Sequence, residues 1–189
     1  QRQMCIRDRH VYMAHFEDMY DRTVTVNGLS KAFSMTGWRI GYIGAPEYIA
    51  RACNKMQGQV TSGANCIGQK AAVTALENSP SKIKYMIEAF KERRGLILGL
   101  LAQIDGFKIN EPQGAFYVFP DISYYFGQTL GGTTINSATD FSLFLLENAK
   151  VATVTGEAFG DPNCIRISYA ASNDDITAAM SQIKEVLAQ

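Results

Sequence analysis

A chain of 189 residues that is 47% hydrophobic is long enough to bury one substantial core or two small lobes. Basic and acidic side chains balance at 18 each and the isoelectric point is near 6.9, so no global field favours nucleic acid or an anionic membrane, and ligand recognition must be local. The longest apolar run, around "GLILGLLAQI", falls short of the roughly 18 to 20 residues a membrane-spanning helix needs, and no transmembrane segment is predicted.

Residues 1–9, "QRQMCIRDR", carry Arg2, Arg7 and Arg9 without an apolar period or the apolar core of a cleavable signal. They read as a non-native or disordered leader rather than a basic arm for nucleic acid, and the native part is expected to begin near His10. "TVTVN", Thr23 to Asn27, is a β-branched run predicting a buried strand that turns at Asn27-Gly28. "WRIGYIGA", Trp38 to Ala45, is the second strand candidate, its glycines allowing close backbone approach. Pro46 suits the first turn of a helix, "PEYIARACNKMQ". After the loop "GQVTSGAN", a second helix, "CIGQKAAVTALENS", is expected to stop at Ser79-Pro80.

From Ser81, the apolar positions Ile83, Met86, Ile87, Phe90, Ile97, Leu98 and Leu101 recur at helical spacing and predict a long helix ending by Asp105-Gly106, the expected joint between two lobes. "GAFYVFPDI", "VATVTG" and "NCIRISYA" read as strands, and "ATDFSLFLLENAK" as a helix. "GQTLGGTTINSAT" reads as a polar loop, with its glycine pair attributed to flexibility. The last helix has the clearest signature: Ser172 with Asp175 forms a capping box, and Ile176, Ala179, Met180, Ile183 and Leu187 make one apolar stripe.

Cys5, Cys53, Cys66 and Cys164 form no Cys-x-x-Cys pair, and the pattern fits reduced thiols in a cytoplasm better than a disulfide framework or a zinc site. With only His10 and His15 present, a histidine-based triad or a multi-histidine metal site has little material.

The chemistry-bearing stretch is "VNGLSKAFSMTGWRIGY", Val26 to Tyr42. Lys31 follows small, turn-forming residues, and a position partly out of water would favour its neutral, nucleophilic amine, as Schiff-base formation with a carbonyl requires. Arg39 presents a rigid fork of donors suited to a phosphate dianion. Together they point to pyridoxal phosphate, although each taken singly also fits a surface lysine whose stem lies along apolar surface, or an arginine in a structural ion pair.

"SKAFSMTGWRIGY" closely resembles the cofactor-lysine motif of the class I and II aminotransferases, the fold-type I pyridoxal-phosphate family. "QGQVTSGANCIGQKAAVTAL", "GAFYVFPDI", "VATVTGEAFG" and "CIRISYAAS" follow in that family's order, so the resemblance covers nearly everything after the leader. It implies an α/β fold made of the end of the large cofactor domain, residues 10–80, and a linking helix with the small α+β domain, residues 81–189. It further implies that Lys31 carries pyridoxal 5'-phosphate, that Arg39 binds the cofactor phosphate with Ser30 in reach, and that Arg166 grips the substrate α-carboxylate with Tyr117 bordering that site. The implied partners are an amino acid of aspartate or aromatic type, a 2-oxo acid, and a second copy of the chain, since "VTSGAN" resembles the family's dimer-interface segment.

On the residues themselves, if Ile165, Ile167 and Tyr169 face the core, Arg166 shares the opposite strand face with Cys164 and Ser168, small neighbours that leave room for a carboxylate. A salt bridge across a sheet is the other reading of Arg166. The sequence departs from the family in lacking a recognisable Asp-x-x-Tyr segment in "HVYMAHFEDMYDR", where Asp18 and Asp21 do not match, and in Thr155, where proline is frequent. Two further readings are an inactive fragment or interaction module, and a β-lyase or synthase on the same scaffold. A nucleotide-binding loop in "GANCIGQKAAV" is rejected, because Gly68 is followed by Gln69-Lys70-Ala71 rather than Lys and a hydroxyl residue. On its own the chain is expected to expose apolar surface and to associate.

Overall fold

The computed structural model describes residues 11–78 and 80–188. The expected leader and Ser79 lie outside the described residues. The chain divides between Lys84 and Tyr85 into two compact units.

In the first unit, β1 (Thr25–Gly28) and β2 (Gly41–Gly44) pair antiparallel, with Thr25 opposite Gly44 and Gly28 opposite Gly41. The expected buried strand is instead a largely exposed one, as is its partner. A two-stranded ribbon has too few neighbours in this unit to cover both faces, whatever its β-propensity. The second strand starts three residues later than the sequence suggests, because Thr36–Trp38 form a 3-10 turn and Arg39 is left-handed.

Two helices follow, α1 (Glu47–Val60) and α2 (Cys66–Glu77). Pro46, with φ fixed in an extended conformation, is the N-cap of α1, where its missing N–H costs nothing. Asn65 caps α2 by accepting a hydrogen bond from the Gly68 N–H at 2.5 Å. The unit's core is small: Leu29, Met35 and Ile40 from the β1–β2 connection pack with Ala72 of α2, flanked by Phe33, Ala71 and Ala75.

The first unit ends in a 3-10 turn over Pro80–Ile83, and α3 (Lys84–Leu101) follows it into the second unit, so the helix predicted from Ser81 begins later. Strand β3 (Tyr117–Val118) is short; β4 (Thr129–Leu130) and β5 (Thr133–Thr134) form a tight hairpin in the segment expected to be a loop. Gly131 and Gly132 both have positive φ, the geometry a two-residue hairpin turn demands, so the glycine pair builds structure rather than flexibility.

Helix α4 (Ala138–Phe144) is capped by Ser137 and runs into a π turn over Leu145–Ala149, closed by left-handed Lys150. Then come β6 (Val154–Thr155), β7 (Ile165–Ser168) and α5 (Asn173–Leu187). The sheet has the order β3-β7-β6 and is antiparallel throughout. Its inner face, Val118, Ile165 and Ile167, packs with Ile97 and Leu101 of α3, Phe141 and Phe144 of α4, and Ile176, Met180 and Ile183 of α5. The Ser172 cap of α5 forms as predicted, its hydroxyl accepting from the Asp175 N–H at 3.1 Å.

Candidate functional site

Lys31 lies in a turn that leaves β1: the Phe33 N–H donates to the Leu29 carbonyl and the Ser34 N–H to the Lys31 carbonyl. Leu29 anchors this turn by being almost fully buried, and its N–H donates to the Ile40 carbonyl, which closes the connection at its base. Ser30, half-buried, belongs to the same turn. Its carbonyl accepts from the Thr36 hydroxyl at 3.0 Å. Arg39 in turn donates from Nη1 to the Thr36 carbonyl at 2.9 Å. Thr36 thus ties both ends of the connection, and Lys31 and Arg39 are held in one loop.

Arg39 has φ 55 and ψ 46, a left-handed conformation that costs an L-residue roughly 1 to 2 kcal/mol. Such strain persists where surrounding contacts enforce it. Here Met35 and Ile40 are buried on either side, and the Asn65 side chain donates to the Trp38 carbonyl at 3.2 Å. Among the described residues the Arg39 side chain makes this one hydrogen bond and no ion pair, so no structural ion pair is seen there and most of the fork is available. The expected partial burial of Lys31 is not found; its side chain is exposed, because the turn carries it away from the small core.

Arg166, in the second unit, sits on the central strand β7 opposite Val154 of β6. Its flanking residues Ile165, Ile167 and Tyr169 are buried, which sets the predicted alternation and turns Arg166 to the other face. Among the described residues the Arg166 side chain likewise has no carboxylate partner and no hydrogen bond, so no salt bridge across the sheet is seen there. Its immediate neighbours are aromatic instead of merely small. The guanidinium carbon lies 4.4 Å from the ring centroid of Tyr117 and 4.3 Å from that of Phe159. Tyr117 reaches it from β3, where it is paired with Ser168.

Cys164, predicted on the same face, is buried, and burial together with Asp161 pushes its thiol up to about 12, so it remains a neutral SH beside the arginine strand. Phe159 and Thr36 were not singled out by sequence reasoning. The signal for Phe159 was the turn "GEAF" directly after a strand; for Thr36 there was none beyond its place between the two charges.

No helix among the described residues is long and apolar enough to cross a membrane, and no group of three or more His, Cys, Asp or Glu is placed to hold a metal ion.

The family model for aminotransferase class I and II matches residues 3–183. A bifunctional aspartate aminotransferase and glutamate/aspartate-prephenate aminotransferase of Petunia hybrida is 49% identical over 182 residues, covering 94% of this chain and 38% of that protein. An aspartate aminotransferase of Pinus pinaster is 45% identical over 183 residues, covering 95% and 37%. Among solved structures, the aspartate aminotransferase of Rhizobium meliloti superimposes with a TM-score of 0.89 at 40% identity, covering 98% of this chain and 47% of that one. The chain therefore spans less than half the length of these relatives. Its mixed α/β fold is shared with part of the fold-type I aminotransferases. The chain belongs to the class I and II aminotransferases.

Proposed function

We propose that this chain carries the cofactor-anchoring and carboxylate-binding residues of a pyridoxal-phosphate-dependent aminotransferase. The reaction moves an amino group between an amino acid of aspartate or aromatic type and a 2-oxo acid. Support for the substrate class comes from the names of the relatives, which are aspartate and prephenate aminotransferases. In this reading residues 10–80 end the large cofactor domain, residues 81–189 form the linking helix and small domain, and the full-length protein is a cytoplasmic homodimer.

The observation that carries the proposal is the Thr36 tie, which holds an amine and a guanidinium fork in one connection, the fork making no ion pair among the described residues. That donor set fits pyridoxal phosphate: an amine for its aldehyde and a fork for its phosphate dianion. When bound, the cofactor supplies an electrophilic carbon and a ring that takes up the electron pair left at the substrate Cα. Arg39 binds the phosphate, with the Ser30 hydroxyl as a second donor. Lys31 anchors the group and, once released, its amine takes the proton from the substrate Cα. Arg166 orients the substrate through its α-carboxylate, with Tyr117 supporting the guanidinium.

A second reading, an inactive fragment, is favoured by one observation: Lys31 is exposed and not set partly out of water. One experiment tests both. The chain is titrated with pyridoxal phosphate, reduced with borohydride, and the modified lysine is mapped by peptide mass spectrometry. A single adduct on Lys31, weakened in Arg39→Ala, is expected; modification spread over many surface lysines would overturn the site. Loss of the adduct on adding aspartate marks a competent chain, and persistence marks the fragment reading.

A further inference from the structure

We infer that Phe159 is a positioning residue for Arg166, holding the guanidinium by its face so that its N–H edge stays open to a carboxylate. This rests on the reading of Arg166 as the carboxylate anchor. The guanidinium carbon is in close range of two rings, Tyr117 at 4.4 Å and Phe159 at 4.3 Å, that come from different segments. Tyr117 pairs with Phe116 at 4.5 Å and Phe159 with Phe119 at 6.1 Å, while Tyr117 and Phe159 form no ring pair with each other. The cation is therefore what joins the two rings.

Arginine is ordinarily aimed by a carboxylate, but such a partner occupies the same in-plane donors that a substrate carboxylate needs. A ring attracts the cation through its quadrupole and takes none of those donors. Among the described residues the Arg166 side chain has this second kind of support only, making no ion pair and no hydrogen bond.

The position of Phe159 is itself well determined. It ends the 3-10 turn Gly156–Phe159 that leaves β6, closed by Gly160 in the left-handed region. The turn starts at buried Gly156, whose N–H donates to the Cys164 carbonyl at 2.7 Å, and the Asp161 N–H donates to the Gly156 carbonyl at 3.1 Å. Phe119 packs edge-on against Phe159, with an interplanar angle of 89°. The turn is thus fastened to the residue that precedes β7, the strand bearing Arg166.

The test uses the full chain labelled with 15N, following the Arg166 Nε–Hε resonance while succinate is added as a dicarboxylate probe. In Phe159→Leu the resonance should lose the Phe159 share of its ring-current shift, that of Tyr117 remaining, and the dissociation constant should rise about tenfold, as expected for loss of one desolvated cation–ring contact. Phe159→Tyr should restore both, which a general packing role would not require, and it serves as the folded control should the leucine variant be unstable. Arg166→Lys separates the two claims. If it abolishes succinate binding while Phe159→Leu leaves binding and resonance unchanged, the positioning role is overturned and the anchor stands. If wild type binds no succinate, or Arg166→Lys binds as wild type does, the anchor reading falls and the inference with it.

Discussion

Arg39 sets a local conformational cost against a binding role. Its left-handed backbone would suit glycine, and its side chain returns only one hydrogen bond to the fold, at 2.9 Å from the Thr36 carbonyl. Arg39→Gly should therefore change folding stability by no more than about 1 kcal/mol, the relieved strain offsetting the lost bond. The same change should cut pyridoxal phosphate adduct formation on Lys31 about tenfold or more, because a charged fork to phosphate is lost. Thermal unfolding measured beside borohydride trapping checks both halves.

Asp121 makes the opposite point, a charge used for folding. Burial works against its ionised form, but hydrogen bonds from Ser123 and the nearby Lys108 ammonium win and hold its carboxyl below the ordinary value of 3.8. A carboxyl lowered in the folded state stabilises the fold above its unfolded value and ceases to do so as pH falls through the folded one. Asp121→Asn should thus lower the thermal midpoint at neutral pH, and the two proteins should converge well below pH 3.8. A midpoint difference that stays constant with pH would remove the charge from the explanation.

At the scale of elements, the turn after β6 has the narrowest tolerance. A Cβ at Gly156 would collide with the carbonyl oxygens of Asp161 and Cys164, both backbone atoms with no freedom to swing aside. Gly156→Ala should cost more than about 3 kcal/mol, readable in a circular dichroism melt, since relief requires moving β7 or the turn that presents Phe159. Elements with strong local codes were legible beforehand. The Ser172 cap, the stripe of α5 and the alternation on β7 all follow from side-chain type and period alone. The β4–β5 hairpin was missed because a glycine pair reads equally as slack or as the positive-φ turn that it is.

For the whole molecule, the two units differ in how well they bury themselves. Residues 85–188 enclose a continuous core drawn from three helices and a sheet. Among the described residues of 11–84, the buried hydrophobic side chains are Leu29, Met35, Ile40 and Ala72 alone, while Val26, Tyr48 and Val60 are 76%, 71% and 72% exposed. Large exposed apolar side chains on a two-stranded ribbon and a helix with no buried residue are surfaces that associate. Sedimentation of the chain should show concentration-dependent association, reduced by Val26→Thr combined with Tyr48→Ser and Val60→Thr. A monodisperse parent that unfolds cooperatively would contradict this.

By itself the sequence determined the family, the order of the helices and the two arginines and one lysine on which the chemistry is proposed to rest, because these follow from residue type at fixed spacing. Only the tertiary structure decided that Lys31 is exposed, that Arg39 is left-handed and tied through Thr36, and that the Arg166 guanidinium lies against Tyr117 and Phe159 and, among the described residues, against no carboxylate. Burial, backbone sign and cation–ring contacts depend on what other segments bring alongside a residue, and no local pattern encodes that.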